Sequence, residues 1–374
     1  MPNKNKIGYR PTWAEVNLGN LEHNFREVKS LLPDKVRVLV TVKADAYGHG
    51  LIPVSKRLVA CGVDYLGVAS IDEGIALRMA GIKTPILLLG LIFKKDIASL
   101  FTFKLTPTIC DREIASALNT KARALKKTIR LHIKVDTGMG RIGVLHNDAF
   151  KLVKDIHKFK NIIIEGIFTH FAFADLNRKF TIHQISLFKK LVEGLRKDGI
   201  VIPLVHAANS IGLIDYNDSH FTMVRPGLVI YGLHPKESLK INLKPVLALL
   251  TCIVFIKQVG SGYSISYGRT YITKRSSRIV TLPIGYGDGY PRNLSNLAPI
   301  LIAGKRFRVS GRVCMDQIMV DVGNLNPKIG DEVVLIGRQG KRKITTEELA
   351  DLSGTIPYEI VCGLGSRIPR IYID

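Results

Sequence analysis

The chain has 374 residues, 46% hydrophobic and 23% charged, a globular balance with length for more than one domain. Lysine plus arginine outnumber aspartate plus glutamate 54 to 31, giving a formal net charge of +23, but the basic residues are spread out, so no nucleic-acid partner is expected while anionic small substrates remain compatible. With no apolar stretch near the roughly 20 residues of a membrane span, no signal-peptide core at the N-terminus and five cysteines standing singly without a CxxC pair, the expectation is a cytoplasmic protein with no membrane partner, disulfide framework or zinc site.

Leu21, Phe25, Val28 and Leu32 recur at three- and four-residue spacing and predict an amphipathic helix over 18–32. Val36, Val38, Leu39, Val40 and Val42 then read as a strand apolar on both faces, as in a parallel sheet covered by helices. It ends in Lys43 and a turn punctuated by Gly48 and Gly50. Seven more strand runs follow, over 64–70, 85–90, 105–109, 129–135, 162–170, 204–208 and 223–232. Helical patterns over 51–60, 71–79, 94–101, 112–126, 150–157 and 182–197 lie between most of them. Eight such units over about 220 residues, with no GxGxxG after any strand, fit an α/β fold of the closed (β/α)8 type better than an open doubly wound sheet. Beyond residue 245 the pattern changes to strands over 247–259, 279–283, 300–309, 317–322 and 332–336, with one helix over 343–352 capped by Thr345 or Thr346. The expected division is a barrel over 12–244 followed by a second, mainly β-strand domain built from 1–11 and 245–374.

In such barrels active groups cluster where strands end, so the polar residues there carry the weight. Lys43 at the end of the first strand is placed for Schiff-base chemistry, because partial burial favours the free amine that attacks carbonyls. The fifth run delivers Arg141 after the glycine-rich turn 136–140, where a guanidinium can clamp a carboxylate. The sixth ends in His170, and the seventh leads to Ser210 through small residues that let a phosphate approach. The eighth places Arg225 beside Gly227, near the position where barrel phosphate sites are often built. Each has a plainer reading alone: a solvated lysine, a surface arginine, a structural histidine, a loop cap, an ion pair formed on burial.

In combination, the stretches 43–50, 136–141, around Ser210 and Arg225, 266–268, 285–289, 311–316 and 357–359 resemble the alanine racemases, and the resemblance covers nearly the whole chain. It implies a homodimeric enzyme that uses pyridoxal 5′-phosphate, with active sites shared between subunits, supplying D-alanine for peptidoglycan. By position, Lys43 holds the cofactor and acts as one base, and Tyr267 of the partner subunit acts as the other. Tyr47, Ser210, Tyr358 and the amides of Gly227 and Leu228 resemble the phosphate-binding set. Arg225 resembles the partner of the ring nitrogen, supported by His170 and His206. Arg141 resembles the contact to the cofactor phenolate and the substrate carboxylate, with a backbone donor from Met315 of the partner subunit. Tyr286, Arg292, Arg312 and Ile356 resemble the narrow approach to the site, with Asp175 and Asp316 nearby. In family members the lysine at the position of Lys134 is carbamylated in some cases, and an unmodified lysine is the default expectation here. Racemisation needs a proton removed from one face of a planar carbanion and returned on the other, which a lysine and a tyrosine on opposite sides satisfy. Other readings are a broader racemase acting on serine or lysine, which activity against side chains of different size discriminates, and a non-catalytic cofactor-binding barrel. The second β domain argues against the latter.

Overall fold

The computed structural model describes residues 9–234 and 240–374; residues 1–8 of the segment assigned to the β domain lie outside them. Eight parallel strands run through one sheet in the order Ile86–Leu88, Tyr65–Val68, Arg37–Thr41, Met223–Val224, Leu204–His206, Ile162–Phe168, Ile129–Asp136 and Thr108–Ile109, with a ninth short strand, Val144–Leu145, paired parallel to Ile129–Asp136 off that path. The sheet closes on itself beside the last of the eight. Leu88 N donates to Thr106 O and Thr106 N to Ile86 O, both at 2.9 Å, so the segment leading into Thr108–Ile109 pairs with the first strand in that order. The apolar runs are buried on both faces because helices cover the outside, including Leu51–Ala60, Ile71–Met79, Arg112–Ala124, His146–His157 and Arg178–Lys197. Inside, Leu39, Tyr65, Leu87, Leu204 and Met223 make a separate small cluster. The two-residue period of a strand turns Thr41, His206 and Arg225 to the same interior face, one step nearer the C-terminal rim.

The second domain packs its own core around Leu249, Val280, Ile300, Leu301, Val320 and Leu335. Its main sheet runs Lys305–Arg308, Pro299–Ile302, Glu332–Gln339, Leu247–Cys252, Trp13–Asn17 and Arg370–Ile373. The sequence reading put residue 12 onward in the barrel. Trp13–Asn17 instead pairs antiparallel with Leu247–Cys252 and parallel with Arg370–Ile373, burying Ala14 and Val16, so the chain enters the barrel only at helix Leu18–Ser30. Asn17 makes that corner, its side chain accepting from Asn20 N at 2.6 Å as the helix cap. The eighth strand run is also shorter than 223–232. Pro226 has no amide to give the ladder, and after Gly227 the chain turns into the 3-10 helix Leu228–Tyr231. Among the described residues, no helix is long and apolar enough to cross a membrane.

Candidate active site

The C-terminal rim of the barrel encloses a cavity of about 550 Å³, lined by residues that include Lys43, Tyr47, Arg141, Ser210, Arg225 and Tyr358, within the size range of cofactor sites. His170, Gly227, Lys134 and Ile356 line it as well. Each arrives by a local device. Lys43 stands one residue beyond strand Arg37–Thr41, after Val42, and the next four residues, Ala44 to Tyr47, all adopt left-handed backbone with φ of 53–55°. This reversed turn carries Tyr47 into the same cavity wall as Lys43 and ends at Gly48, where a Cβ would stand 2.1 Å from Val361 O. Glu73 ties the turn to the neighbouring strand end, accepting from Ala44 N and Ala69 N at 2.7 Å each. Lys43 makes no hydrogen bond or ion pair among the described residues. Burial and the nearby Arg141 guanidinium push its ammonium below the ordinary lysine value, towards the nucleophilic free amine.

Arg141 is delivered by a turn that Asp136 folds, its carboxylate accepting from the amides of Gly138, Met139 and Gly140 at 2.8, 2.8 and 2.9 Å. Lys134 lies in the same strand, 2% exposed, its Nζ donating to Val135 O at 2.9 Å and resting over Phe168. Burial and the Arg225 charge pull it down to about 7. At the other end of the cavity, Ser210 opens the short helix Ser210–Asp215, capped by Asn209, and its hydroxyl accepts from Gly227 N at 3.0 Å. A Cβ on Gly227 would lie 2.8 Å from the Tyr47 hydroxyl. Tyr47, Tyr231 and Tyr358 pack as a cluster, with ring centroids 4.8 and 5.6 Å from Tyr47. Burial raises all three hydroxyls, Tyr358 to about 12, so they remain proton donors at neutral pH.

Arg225 is 5% exposed and makes no ion pair among the described residues. Its guanidinium donates to His206 Nδ1 at 2.8 Å, Thr169 O at 2.6 Å and Ala207 O at 3.0 Å, leaving donor capacity that faces the cavity. Burial pulls it down to about 9, still charged at neutral pH. A buried cation without a carboxylate calls for an acceptor. Burial, then the positive charges of Arg225, Lys134 and Arg141, keeps His170 neutral. Hydroxyl and amide donors at one end, an amine at the rim and a guanidinium between them fit a phosphorylated aromatic aldehyde of the pyridoxal type.

Leu228 is buried beside Gly227 and does not line the cavity. Nor do Tyr267, Met315, Tyr286, Arg292 and Arg312. Most of these meet elsewhere on the same chain. Tyr267 sits in the turn of the hairpin Ser264–Ile265 and Tyr271–Ile272, 70% exposed. Ser266 Oγ donates to Arg312 O at 2.6 Å, and Tyr286 N and Gly287 N donate to Cys314 O and Met315 O at 3.0 and 2.8 Å. Asp316 pairs with Arg367 at 2.6 Å. Asp175 is close enough to raise Tyr358 electrostatically. Sequence reasoning missed Cys362, Phe168 and Asn209 in the cavity wall and Glu73 behind it. Asn209 carried a usable signal as a helix cap, whereas the other three look like ordinary packing or surface residues.

A family profile described as "Alanine racemase, N-terminal domain" matches residues 16–235, and one described as "Alanine racemase, C-terminal domain" matches residues 246–372. A protein named alanine racemase from Halothermothrix orenii is 48% identical over 372 residues, 98% of both chains. Among solved structures, an alanine racemase of Clostridium difficile superposes with TM-score 0.92 at 40% identity, covering 98% of this chain and 97% of that one. The alanine racemase of Bacillus anthracis with bound L-Ala-P does so with TM-score 0.92 at 36% identity, covering 99% and 96%.

Proposed function

Because the chain belongs to the alanine racemase family, we propose that it interconverts L- and D-alanine in the cytoplasm as a homodimer using pyridoxal 5′-phosphate, and so supplies D-alanine for peptidoglycan. The observation that carries this reading is the convergence of Lys43, Arg141, Ser210, Arg225 and Tyr358 on one cavity at the barrel rim. When bound, the cofactor supplies an electron sink that acidifies the α-proton of an amino acid. Lys43 holds it at the rim, and its Nζ takes or returns a proton on one face of the substrate carbon. Tyr47, Ser210 and Tyr358 would grip the phosphate from the cavity wall, with the amides of Gly227, which here donates to Ser210 Oγ, and of Leu228 behind it as further donors. Arg225 would face the ring nitrogen, and a group that keeps its proton would discourage protonation of that nitrogen, favouring return of the proton over transamination. Arg141 binds the substrate carboxylate and orients the carbon between the two bases.

The second base is the hydroxyl of Tyr267 of the partner subunit. Exposure of Tyr267 at a hairpin tip, outside its own chain's cavity, supports a role completed across a dimer. Arg292, Arg312 and Tyr286 of the same surface narrow the approach, with Ile356 of the barrel-rim segment, and favour a small side chain, while Met315 of that surface offers a backbone donor to the substrate carboxylate. Purified protein assayed for conversion of L- to D-alanine, with serine and lysine compared, tests the reading: alanine is expected to turn over fastest. Faster turnover of either larger substrate overturns the alanine assignment.

A further inference from the structure

Four polar side chains run in a row through the barrel interior, away from the cavity. Arg225 Nη1 lies 2.8 Å from His206 Nδ1, His206 Nε2 lies 2.9 Å from His132 Nδ1, and His132 Nε2 faces Glu165 Oε2 at 3.7 Å. Among the described residues neither His132 Nε2 nor Glu165 Oε2 has a hydrogen-bond partner, so each is left facing the other. Both imidazoles are fully buried. The backbone is arranged for this row. In the pairing of Ile129–Asp136 with Ile162–Phe168, Leu131 faces Ile164 and His132 faces Gly166, so Glu165 is an extra bulged residue whose side chain is re-aimed. Gly166 leaves room for the ring, since a Cβ there would stand 2.3 Å from His132 Nδ1.

A guanidinium can only donate, so the direction of every bond follows. His206 Nδ1 must accept from Arg225, which puts the His206 proton on Nε2. That nitrogen donates to His132 Nδ1, which puts the His132 proton on Nε2, pointing at Glu165. We infer that Glu165 is a positioning residue for Arg225, its carboxylate fixing the tautomers of His132 and His206 so that a lone pair always faces the guanidinium. Burial keeps both histidines neutral. Burial also opposes ionisation of Glu165, but the facing His132 and Tyr65 side chains outweigh it and hold the carboxyl below its ordinary value. Without this acceptor nothing at the far end favours a proton on His132 Nε2, so the reversed tautomer of both rings competes with the one Arg225 dictates, even though it sets two donors facing each other at the guanidinium. That Arg225 meets the cofactor nitrogen rests on the racemase reading; the ladder itself does not.

The ladder is tested on cofactor-free protein carrying ¹⁵N-labelled histidine. At neutral pH both His132 and His206 are expected as neutral rings protonated on Nε2. Glu165→Ala is expected to shift His132 towards the Nδ1 tautomer, while Glu165→Gln, whose amide oxygen still accepts, is expected to retain the wild-type pattern. In loaded enzyme Glu165→Ala is expected to lose about tenfold in kcat with KM little changed, as for one lost hydrogen bond, and Glu165→Gln to restore most of it. A wild-type His206 protonated on Nδ1, or a Glu165→Ala protein with both tautomers and kcat unchanged, overturns the inference. The tautomers decide it whether or not the chain racemises alanine.

Discussion

The Lys43 amine combines partial burial with freedom from any hydrogen-bonded partner among the described residues, which is what a nucleophilic amine needs and a structural lysine avoids. Replacing it with alanine is expected to lower alanine racemisation by roughly 10³-fold or more, and borohydride treatment of the loaded variant should leave no cofactor attached to the chain. Lys134 yields a pH dependence. Its folded value of about 7 lies below the 10.5 of a free lysine, so between the two the unfolded chain binds more protons. Stability therefore rises with pH across that window, and the full penalty is present at and below about 7. Lys134→Met should raise the melting temperature near pH 6.5 and bring a smaller gain near pH 10, read by thermal denaturation at about those two values. The residues legible in the sequence were those whose chemistry is unusual at a strand end: Lys43, Arg141, Ser210 and Arg225. His132 and Glu165 were not, because a histidine and a glutamate inside strand runs look alternately buried and exposed, and only the bulge brings them together.

At the scale of elements, the left-handed turn after Lys43 is the costly one. A non-glycine residue there gives up about 1–2 kcal/mol. Ala44 is exposed, so Ala44→Gly removes strain at little packing loss and is expected to stabilise the fold by up to about 1 kcal/mol, glycine's greater freedom when unfolded offsetting part of the gain. Gly48→Ala should do the reverse, placing a methyl against Val361 O at φ 78°; a loss of about 1–3 kcal/mol or more in chemical denaturation is expected. The long helices were legible from apolar spacing. The two short ones that help build the cavity, Ser210–Asp215 and Pro357–Cys362, were not, since six residues are too few to show a helical period. Their signals were local: Asn209 as a cap and Pro357 at the first helical position.

Across the whole molecule, the barrel was legible because strand and helix periods alternate, and the second domain because they stop. The place of Trp13–Asn17 was hidden, because its partners lie more than two hundred residues away and pairing over that distance leaves no periodic trace. No periodicity marks Tyr267 either, and only the family resemblance pointed to a role for it across subunits. Its hairpin, with exposed Tyr286 and Met315, is an unpaired surface on one chain and on the proposed account half of a site on two. Co-expression of a Lys43→Ala chain with a differently tagged Tyr267→Phe chain, followed by isolation of dimers carrying both tags, tests this most directly. Each parent dimer lacks a base in both sites and should be nearly inactive, while the mixed dimer has one intact site and one doubly defective site and should recover about half the wild-type turnover per dimer. Mixed dimers no more active than the parents would contradict a site shared between subunits.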